Sequence, residues 1–477
     1  MKNQPYLRIK FKAPQPGKKH TCPEIVQNIK EQILRHRLSG LRLPPIRFLA
    51  HQLNVSKTTI QKAYDELISQ GLVESKPRLG LYITPAQKEV QIPSVTKAAF
   101  LATDQGPAYL NYHAPPSPKT INLSSDLINP DLLPLQKISQ CFRAALANPD
   151  LTSKYYVQGY PPLRKEIAER LQKYGINAHP DNIVITIGSQ QAISIIFRSL
   201  TGATIATENP TYYAAQRLFK INKNKIIGLP LDPFQEIQMD LWAELIQKYQ
   251  PQALYLIPNF QNPTGHSYSS SELQQILLLS KKFNLGLIED DWGSDMLSFS
   301  EFKPSLRAIG GENVFYLNTF TSKLLPSLRI GYVLASTKNI PSLLYTKSAS
   351  CLAASSIDEI ALYEFLYRGY YDAHLTKLQQ ALDKRYKFCL KILRERMPAN
   401  IKWTLPGGGP MLWLEVPRHI SLEKVSSKLQ KQNIYIDLNQ ECFAGPPNLH
   451  GFPIGYAYNS LENLQKGLEA LALALTN

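Results

Sequence analysis

The sequence predicts a multidomain protein, with a small α+β domain at the N-terminus and a much larger α/β domain after it. Three observations lead to this prediction. The chain has 477 residues, roughly three typical domain lengths. Its first 84 residues contain three helical patterns and two short strand patterns. Beyond residue 120, apolar β-branched runs alternate with helical patterns, as in a mostly parallel sheet covered by helices on both faces.

Composition limits the class of protein further. No stretch approaches the ~20 apolar residues of a membrane-spanning helix, and the first residues lack the apolar segment of a secretory signal. The five cysteines are scattered and form no C-x-x-C pair, so neither a disulfide framework nor a zinc site is indicated. We therefore expect a cytoplasmic protein without a metal site.

Positive charge is concentrated near the N-terminus. Between Met1 and Thr84 stand 15 of the 53 Lys and Arg residues and 5 of the 37 Asp and Glu residues, which gives this segment +10 of the net +16. We call residues 1–84 the head and the large domain that follows the body. A strongly basic head attached to a less charged body suggests a module that binds a polyanion. Charge alone would also fit an ordinary solvated surface.

The patterns of the head predict three helices and a hairpin. Thr21 can cap the first helix, in which Ile25, Ile29 and Ile33 repeat at four-residue spacing until Gly40. Two more helices and two strands are predicted at Ile46–Leu53, Lys57–Gln70, Leu72–Ser75 and Leu81–Thr84. This order of elements is a winged helix-turn-helix.

The segment from LPPIRFLAHQ to LGLYI resembles the GntR-type DNA-binding domain. The resemblance and the basic third helix predict contacts with double-stranded operator DNA. Arg47 matches the arginine of that family that binds phosphate. Arg78 stands where the family has the first glycine of the wing, which favours a groove or phosphate contact over a tight turn. The candidate DNA-binding residues are Arg47, Ser56, Lys57, Thr58, Thr59, Lys62 and Arg78. A winged fold used for protein contacts is the alternative.

A linker separates the head from the body. From Pro85 to about Thr120 periodicity fades, and Pro, Ala, Ser and Thr accumulate. The predicted divisions are 1–84 for the DNA-binding domain, 85–120 for the linker and 121–477 for the large domain.

Polar motifs stand where the predicted strands of the large domain end. Gly188-Ser189-Gln190-Gln191 follows the run DNIVITIG and opens a helix, whose free N–H groups can bind a phosphate. Similar positions after other strands hold Asn262-Pro263-Thr264-Gly265, Asp290, Ser322-Lys323 and Arg329. In this order the motifs resemble a fold-type I, class I aminotransferase. Together with the head, they make the chain resemble the MocR-like subfamily of GntR regulators.

This resemblance implies a mostly parallel central sheet, a smaller C-terminal α/β subdomain, a homodimer and the cofactor pyridoxal 5′-phosphate. It also implies a role for each matching residue. Asp290 would hold the ring nitrogen, Asn262 the phenolate oxygen, and Tyr212 would stack on the ring. Ser189, Gln190 and Arg329 would bind the phosphate, and Lys323 is the nearest lysine for the Schiff base.

The lysine motif departs from the family pattern. That pattern, T-F-S-K-x-L-x-P-S-L-R, has lysine seven residues before the arginine, whereas TFTSKLLPSLR has Ser322 there and Lys323 six before. Two hypotheses follow. Either Ser322 has replaced the Schiff-base lysine, or the loop is one residue shorter and Lys323 still reaches the cofactor on its flexible stem.

Two further departures concern the tyrosine and the substrate arginine of the family. Trp292 stands where a tyrosine is expected after Asp290, and reading from Asp291 instead places Gly293 there, so the phenolic hydroxyl is absent in both registers. Pro453 stands where aminotransferases carry the arginine that binds the substrate carboxylate. Arg217 could supply that cation from another direction.

The sequence therefore predicts a DNA-binding regulator whose aminotransferase-like domain senses a small molecule, such as an amine or amino acid, without turnover. An active aminotransferase with a DNA-binding head is one alternative. A cofactor-free regulator with a degenerate aminotransferase fold is the other.

Overall fold

The structure is a computed structural model that describes residues 6–11, 14, 19–36, 38–84, 117, 119–152, 154–296, 305–438 and 440–476. The chain divides into two compact units, 1–107 and 108–477. Of the predicted linker, residues 117, 119 and 120 are described and the rest lies outside the described residues.

The head has the predicted helices and hairpin. Its elements are α1 (Cys22–Arg35), α2 (Ile46–Gln52), α3 (Lys57–Ser69), β1 (Val73–Lys76) and β2 (Gly80–Ile83). A buried apolar core that includes Ile25, Ile29 and Leu67 joins the three helices. The hydroxyl of buried Tyr64 donates a 2.8 Å hydrogen bond to the carbonyl oxygen of Pro44, which ties α3 to the segment before α2.

The wing has a tight turn at the position of Arg78. The backbone N–H of Leu79 donates to the carbonyl oxygen of Lys76 at 3.0 Å, and Arg78 has φ +61°. A left-handed arginine costs roughly 1 kcal/mol, which the antiparallel pairing of β1 with β2 offsets. The expectation that arginine disfavours a tight turn was therefore wrong, although the Arg78 side chain is exposed.

The large unit alternates strands and helices. Its strands are β3 (Ile121–Asn122), β4 (Ile183–Thr186), β5 (Thr204–Asn209), β6 (Lys225–Pro230), β7 (Ala253–Leu256), β8 (Gly286–Asp290), β9 (Val314–Thr319), β10 (Gly331–Leu334), β11 (Lys402–Trp403), β12 (Met411–Glu415), β13 (Ile434–Tyr435) and β14 (Gly451–Gly455). Its helices are α4 (Leu135–Leu146), α5 (Pro161–Lys173), α6 (Gly188–Ser199), α7 (Tyr213–Ile221), α8 (Met239–Tyr249), α9 (Ser270–Phe283), α10 (Leu306–Gly310), α11 (Thr321–Leu324), α12 (Ile340–Ser350), α13 (Ser356–Tyr367), α14 (Tyr370–Arg396), α15 (Leu422–Gln430) and α16 (Leu461–Thr476).

Within the described residues, the central sheet has seven strands in the order β4-β10-β9-β8-β7-β5-β6. All pairs are parallel except those of β10, which runs antiparallel to β4 and β9. The central strands are buried along their length because helices cover both faces. Their carboxyl ends therefore meet at one edge of the sheet, where the polar motifs stand.

A smaller subdomain follows the sheet. It contains the antiparallel sheet β11-β12-β14 and the helices α15 and α16, which enclose a separate apolar core. The predicted fold class is thus confirmed in both units. Among the described residues, no helix is long and apolar enough to cross a membrane.

Candidate functional site

A cavity of about 210 Å³ lies at the carboxyl ends of the central strands. We call it the strand-end cavity. It is lined by Asp126, Leu127, Ser189, Tyr212, Tyr213, Ile257, Asn262, Asp290, Trp292, Thr319, Thr321, Ser322 and Arg329. Six of the predicted cofactor residues are among them: Ser189, Tyr212, Asn262, Asp290, Ser322 and Arg329. The structure thus gathers residues that are far apart in the sequence.

Asp290 is a buried carboxyl group in the lining of this cavity. It is 97% buried, and the Tyr255 hydroxyl donates to its Oδ2 at 2.6 Å, whereas its Oδ1 has no hydrogen-bond partner in the part of the chain that the structure describes. Burial raises the pKa of Asp290 to about 7, against the lowering effect of the Tyr255 hydrogen bond. A cationic N–H in the cavity would satisfy this oxygen and favour the ionised carboxylate.

The neighbouring Asp291 is held elsewhere. The hydroxyls of Tyr316 and Ser294 donate to its Oδ2 at 2.7 Å and 2.5 Å, and the backbone N–H of Ser294 donates to its Oδ1 at 3.1 Å. Adjacent residues at the end of β8 point to opposite sides, so one faces the cavity and the other does not. Of the two aspartates, Asp290 is the one that lines the strand-end cavity.

A second group of residues at the cavity is suited to an anion. Helix α6 begins at Gly188, next to the lining residue Ser189, and Gly188 has φ +72°. A Cβ at this position would lie 3.3 Å from Nη2 of Arg329 and 3.4 Å from Oγ1 of Thr321, so a larger residue would crowd both groups. Thr321 Oγ1 has no hydrogen-bond partner among the described residues. The helix N-terminus, the guanidinium and the hydroxyls of Ser189 and Thr321 are donors for a phosphate.

Aromatic side chains also line the cavity. Tyr212 is one of the lining residues, and burial raises its pKa, so it stays a neutral phenol. Trp292 donates from Nε1 to the carbonyl oxygen of Phe260 at 3.2 Å, which fixes its indole ring. Gln190 differs from the prediction, because its side chain is not among the lining groups and its amide contacts the carbonyl oxygen of Ala214 at 3.5 Å.

Lys323 does not line the cavity either. Its side chain is fully buried, and its Nζ lies 2.8 Å from Asp295 Oδ1, 3.0 Å from Asp295 Oδ2 and 2.8 Å from Asn318 Oδ1. The Tyr371 hydroxyl also donates to Asp295. We call these four residues the Lys323 cluster. Of the two hypotheses for the lysine motif, this geometry favours the one in which Ser322 has replaced the lysine, because the Lys323 ammonium contacts Asp295 and Asn318.

Ser322 stands at the position where the family pattern has its lysine. Successive residues of α11 are rotated by about 100° around the helix axis, so Ser322 and Lys323 point in different directions. Ser322 lines the strand-end cavity, and its hydroxyl has no hydrogen-bond partner within the described ranges. This arrangement agrees with the alignment of TFTSKLLPSLR without a gap.

The residues considered for a substrate carboxylate are also placed elsewhere. Pro453 lies in β14 opposite Trp413, and its carbonyl oxygen accepts a 2.9 Å hydrogen bond from Ser124 Oγ. Arg217 donates from Nε to Glu441 Oε2 at 2.6 Å, and its guanidinium lies 5.1 Å from the centre of the Tyr213 ring. Among the described residues that line the cavity, Arg329 is the only cation.

The candidate DNA-binding residues lie on the exposed surface of the head. Arg47, Lys57, Thr58, Lys62 and Arg78 are exposed. Ser56 also caps α3, since its Oγ accepts a 3.1 Å hydrogen bond from the backbone N–H of Thr59 and lies 2.7 Å from Thr59 Oγ1. The hydroxyls of Ser56 and Thr59 are therefore shared between capping and any contact with DNA.

Sequence reasoning missed several cavity residues. Thr321 occupies a position next to the lysine motif and could have been found there. Tyr255, the partner of Asp290, lies within the apolar run of β7 and gives no polar signal. Asp126 enters from the segment before α4, which carries no motif that predicts a site.

Comparison with known proteins agrees with both units. Residues 118–471 match the family described as Aminotransferase class I and II, and residues 22–83 match the Bacterial regulatory proteins, gntR family. The HTH-type transcriptional regulator YisV of Bacillus subtilis is 29% identical over 476 residues, covering 96% of this chain and 97% of the relative. The HTH-type transcriptional regulator NorG of Staphylococcus aureus (strain N315) is 27% identical, covering 90% and 98%.

Among solved structures, the multiple substrate aminotransferase from Thermococcus profundus superposes with a TM-score of 0.72 and 25% identity. It covers 80% of this chain and 96% of that structure. The predicted combination of a GntR-type head with an aminotransferase-like body is confirmed by these matches.

Proposed function

We propose a regulatory function for this chain, which belongs to the aminotransferase class I and II family. In this proposal the head binds operator DNA, and the body binds a small molecule that changes DNA binding, without turnover. The relatives that span both units are named as transcription regulators, which supports the assignment. The single observation that carries it is a strand-end cavity with binding groups but no lysine among the described residues that line it.

The lining residues fit pyridoxal 5′-phosphate or a close analogue. The free Oδ1 of Asp290 suits a protonated ring nitrogen, and Arg329 with Thr321 suits the phosphate at the start of α6. Asn262 and Tyr212 also line the cavity. When bound in aminotransferases, this cofactor withdraws electrons through its pyridine ring. The residues of this chain would hold and orient the ring and keep the ring nitrogen protonated.

Turnover is not supported by the same residues. Transamination needs a lysine that both holds the cofactor and moves a proton, and Lys323 is fully buried with Asp295 and Asn318. Pro453 offers no donor for a substrate carboxylate. Loss of positioning alone can cost ~100-fold in rate. We therefore propose that a bound amine or amino acid is sensed and not converted.

We further propose that the protein acts as a homodimer, because two heads would meet two half-sites of an operator. Arg47 and the exposed donors at the start of α3 would contact phosphates and base edges. The groups that bind phosphates make affinity depend on salt, because each contact releases counterions from DNA.

DNA binding tests the regulatory part. Fluorescence anisotropy of the full chain with a labelled duplex, at several salt concentrations, should give a steep log–log slope. Arg47→Ala and Lys57→Ala should each lower that slope by about one. Lys466→Ala removes the same charge from an exposed position of the large unit and should leave the slope unchanged. Failure of the full chain to bind any duplex at low salt would reject the regulatory function.

Enzyme assays test the absence of turnover. The purified chain is incubated with pyridoxal phosphate and a panel of amino acids and 2-oxo acids, and both half-reactions are followed. We expect no more product than in the protein-free mixture. Multiple turnovers on any pair would instead support an active aminotransferase.

A further inference from the structure

We infer that the strand-end cavity is a non-covalent receptor for 5′-phosphorylated pyridines, which binds the 4′-amine form at least as well as the 4′-aldehyde form. This inference rests on the proposed function of the cavity and names its ligand class. A site with a reactive lysine prefers the aldehyde form, because the lysine binds it covalently. We expect this preference to be absent or reversed in the strand-end cavity.

The first step is the position of Ser322. Ser322 lines the cavity where the family pattern has lysine, and its hydroxyl has no partner among the residues that the structure describes. A serine hydroxyl donates to a carbonyl oxygen or accepts from an amine, but it forms no stable bond to an aldehyde carbon in the way that an amine does. The cavity therefore offers a hydrogen bond at this point and no covalent link.

The second step is the commitment of Lys323. To enter the strand-end cavity, its ammonium would have to leave Asp295 and Asn318, with which it makes contacts of 2.8 to 3.0 Å. Asp295 would then keep a largely buried charge without its cation, and breaking a buried pair in this way is strongly unfavourable. The backbone carbonyl of Lys323 also contacts His374 Nε2 at 2.8 Å, which fixes this part of α11 on α14. Lys323 is thus held away from the ligand.

The third step compares what the cavity offers to the two forms of the ligand. Among the described residues that line it there is no lysine, and Arg329 is the only cation. Arg329 and Thr321 suit the phosphate and Asp290 suits the ring nitrogen, and both forms of the ligand carry these two groups. The aldehyde form therefore gains no contact that the amine form lacks, and the Ser322 hydroxyl can hydrogen-bond to the 4′-amine.

The test is a calorimetric titration of the full chain with pyridoxamine phosphate, pyridoxal phosphate and, as a control for the phosphate alone, inorganic phosphate. We expect the amine form to bind with a Kd equal to or below that of the aldehyde form, and inorganic phosphate to bind at least 100-fold more weakly. Asp290→Asn should weaken both pyridines by about 10- to 100-fold.

Borohydride reduction and peptide mapping then test the absence of a covalent link. After incubation with one equivalent of pyridoxal phosphate, no lysine of the unmodified sequence should be labelled above the level in Asp290→Asn. Ser322→Lys should gain a label at position 322, because its amine condenses with the aldehyde, water leaves, and hydride reduces the resulting C=N bond. That variant should also bind the aldehyde form at least tenfold more tightly than the amine form.

Each result decides between the two proposals. A specific label on Lys323, or an amine form that binds tenfold more weakly than the aldehyde, would overturn the inference and leave the sensing function standing. If neither pyridine binds to the original chain or to Ser322→Lys, the cavity is not a site for this ligand class, and the sensing function loses its support. Reversible binding of both forms without a label would support both proposals.

Discussion

The strand-end cavity and the Lys323 cluster include adjacent residues of the chain, Ser322 and Lys323. They differ in whether their buried polar groups have hydrogen-bond partners within the protein. In the cavity, Asp290 Oδ1 and the hydroxyls of Thr321 and Ser322 have no hydrogen-bond partner within the described part of the chain. In the cluster, Lys323 Nζ contacts both Asp295 and Asn318 within 3.0 Å. Unsatisfied buried polar groups cost free energy unless a ligand completes them, whereas satisfied ones stabilise the fold. The comparison indicates that the polar groups of the cavity are available to bind a ligand, whereas Lys323 stabilises the fold.

The largest expected effect concerns stability. Lys323→Met should lower the free energy of unfolding by about 3–5 kcal/mol, because it leaves Asp295 charged and largely buried without its partner. Chemical denaturation measures this value. Lys466→Met, at an exposed position of α16, should change it by less than about 0.5 kcal/mol.

The Lys323→Met variant also tests whether Lys323 takes part in ligand binding. Once folded, Lys323→Met should bind pyridoxamine phosphate within about threefold of the original chain. If the affinity instead falls more than tenfold while the fold is retained, Lys323 belongs to the ligand site and the two regions are not distinct.

The adjacent aspartates offer a matched pair of variants. Asp290→Asn should lose about 1.5–3 kcal/mol of ligand binding, through the lost charge-assisted hydrogen bond to the ring nitrogen. Asp291→Asn should instead lower stability by about 1–3 kcal/mol, because Tyr316 and Ser294 lose part of their acceptor. Calorimetry and denaturation on both variants separate the two roles. Equal losses of affinity in both would contradict the assignment of Asp290.

A smaller effect is expected from pH. Burial raises the pKa of Asp290 to about 7, with Asp291 raising it further and Tyr255 and Lys323 opposing the shift. Below this pH the carboxyl is protonated and cannot pair with a cationic ring nitrogen, so affinity should fall by up to about tenfold for each unit below 7. Titration between pH 8 and 6 checks this. Asp290→Asn should remove that part of the dependence, whereas an unchanged profile would exclude Asp290 as its source.

The free energy of unfolding of the ligand-free protein should fall as pH rises, whereas the affinity for the ligand should increase. A carboxyl whose folded-state pKa is raised stabilises the fold while protonated, and this contribution is lost as pH rises through its folded pKa. Asp290, near 7, and Glu208 and Glu289, near 8, are raised in this way, mainly by burial. The free energy of unfolding should therefore decrease between pH 6 and 8, and less so in Asp290→Asn.

Much of the fold and part of the site could be predicted from the sequence. Local signals placed the head, because Ser56 and Gly71 mark helix ends, and apolar runs marked the buried strands. The gap-free alignment of Ser322 with the lysine position was also visible in the sequence. The ion-pair partner of Lys323 could not be recognised in the sequence, because Asp295 stands 28 residues away and only the fold brings the two side chains together. For the same reason Tyr255, an ordinary residue of an apolar strand, could not be recognised as the partner of Asp290.

Regulation of this kind requires free-energy coupling between the strand-end cavity and the head. The direct measurement is the DNA affinity of the full chain with and without pyridoxamine phosphate, with Asp290→Asn measured at the same ligand concentration, which just saturates the original chain. A coupling free energy of 1–3 kcal/mol is typical of such regulation, so we expect the two affinities to differ by roughly 5- to 150-fold in the original chain and by less in the variant, whose cavity is only partly occupied. Equal affinities in the original chain, under conditions where the ligand is shown to be bound, would contradict the proposal that this protein senses a small molecule to control its binding to DNA.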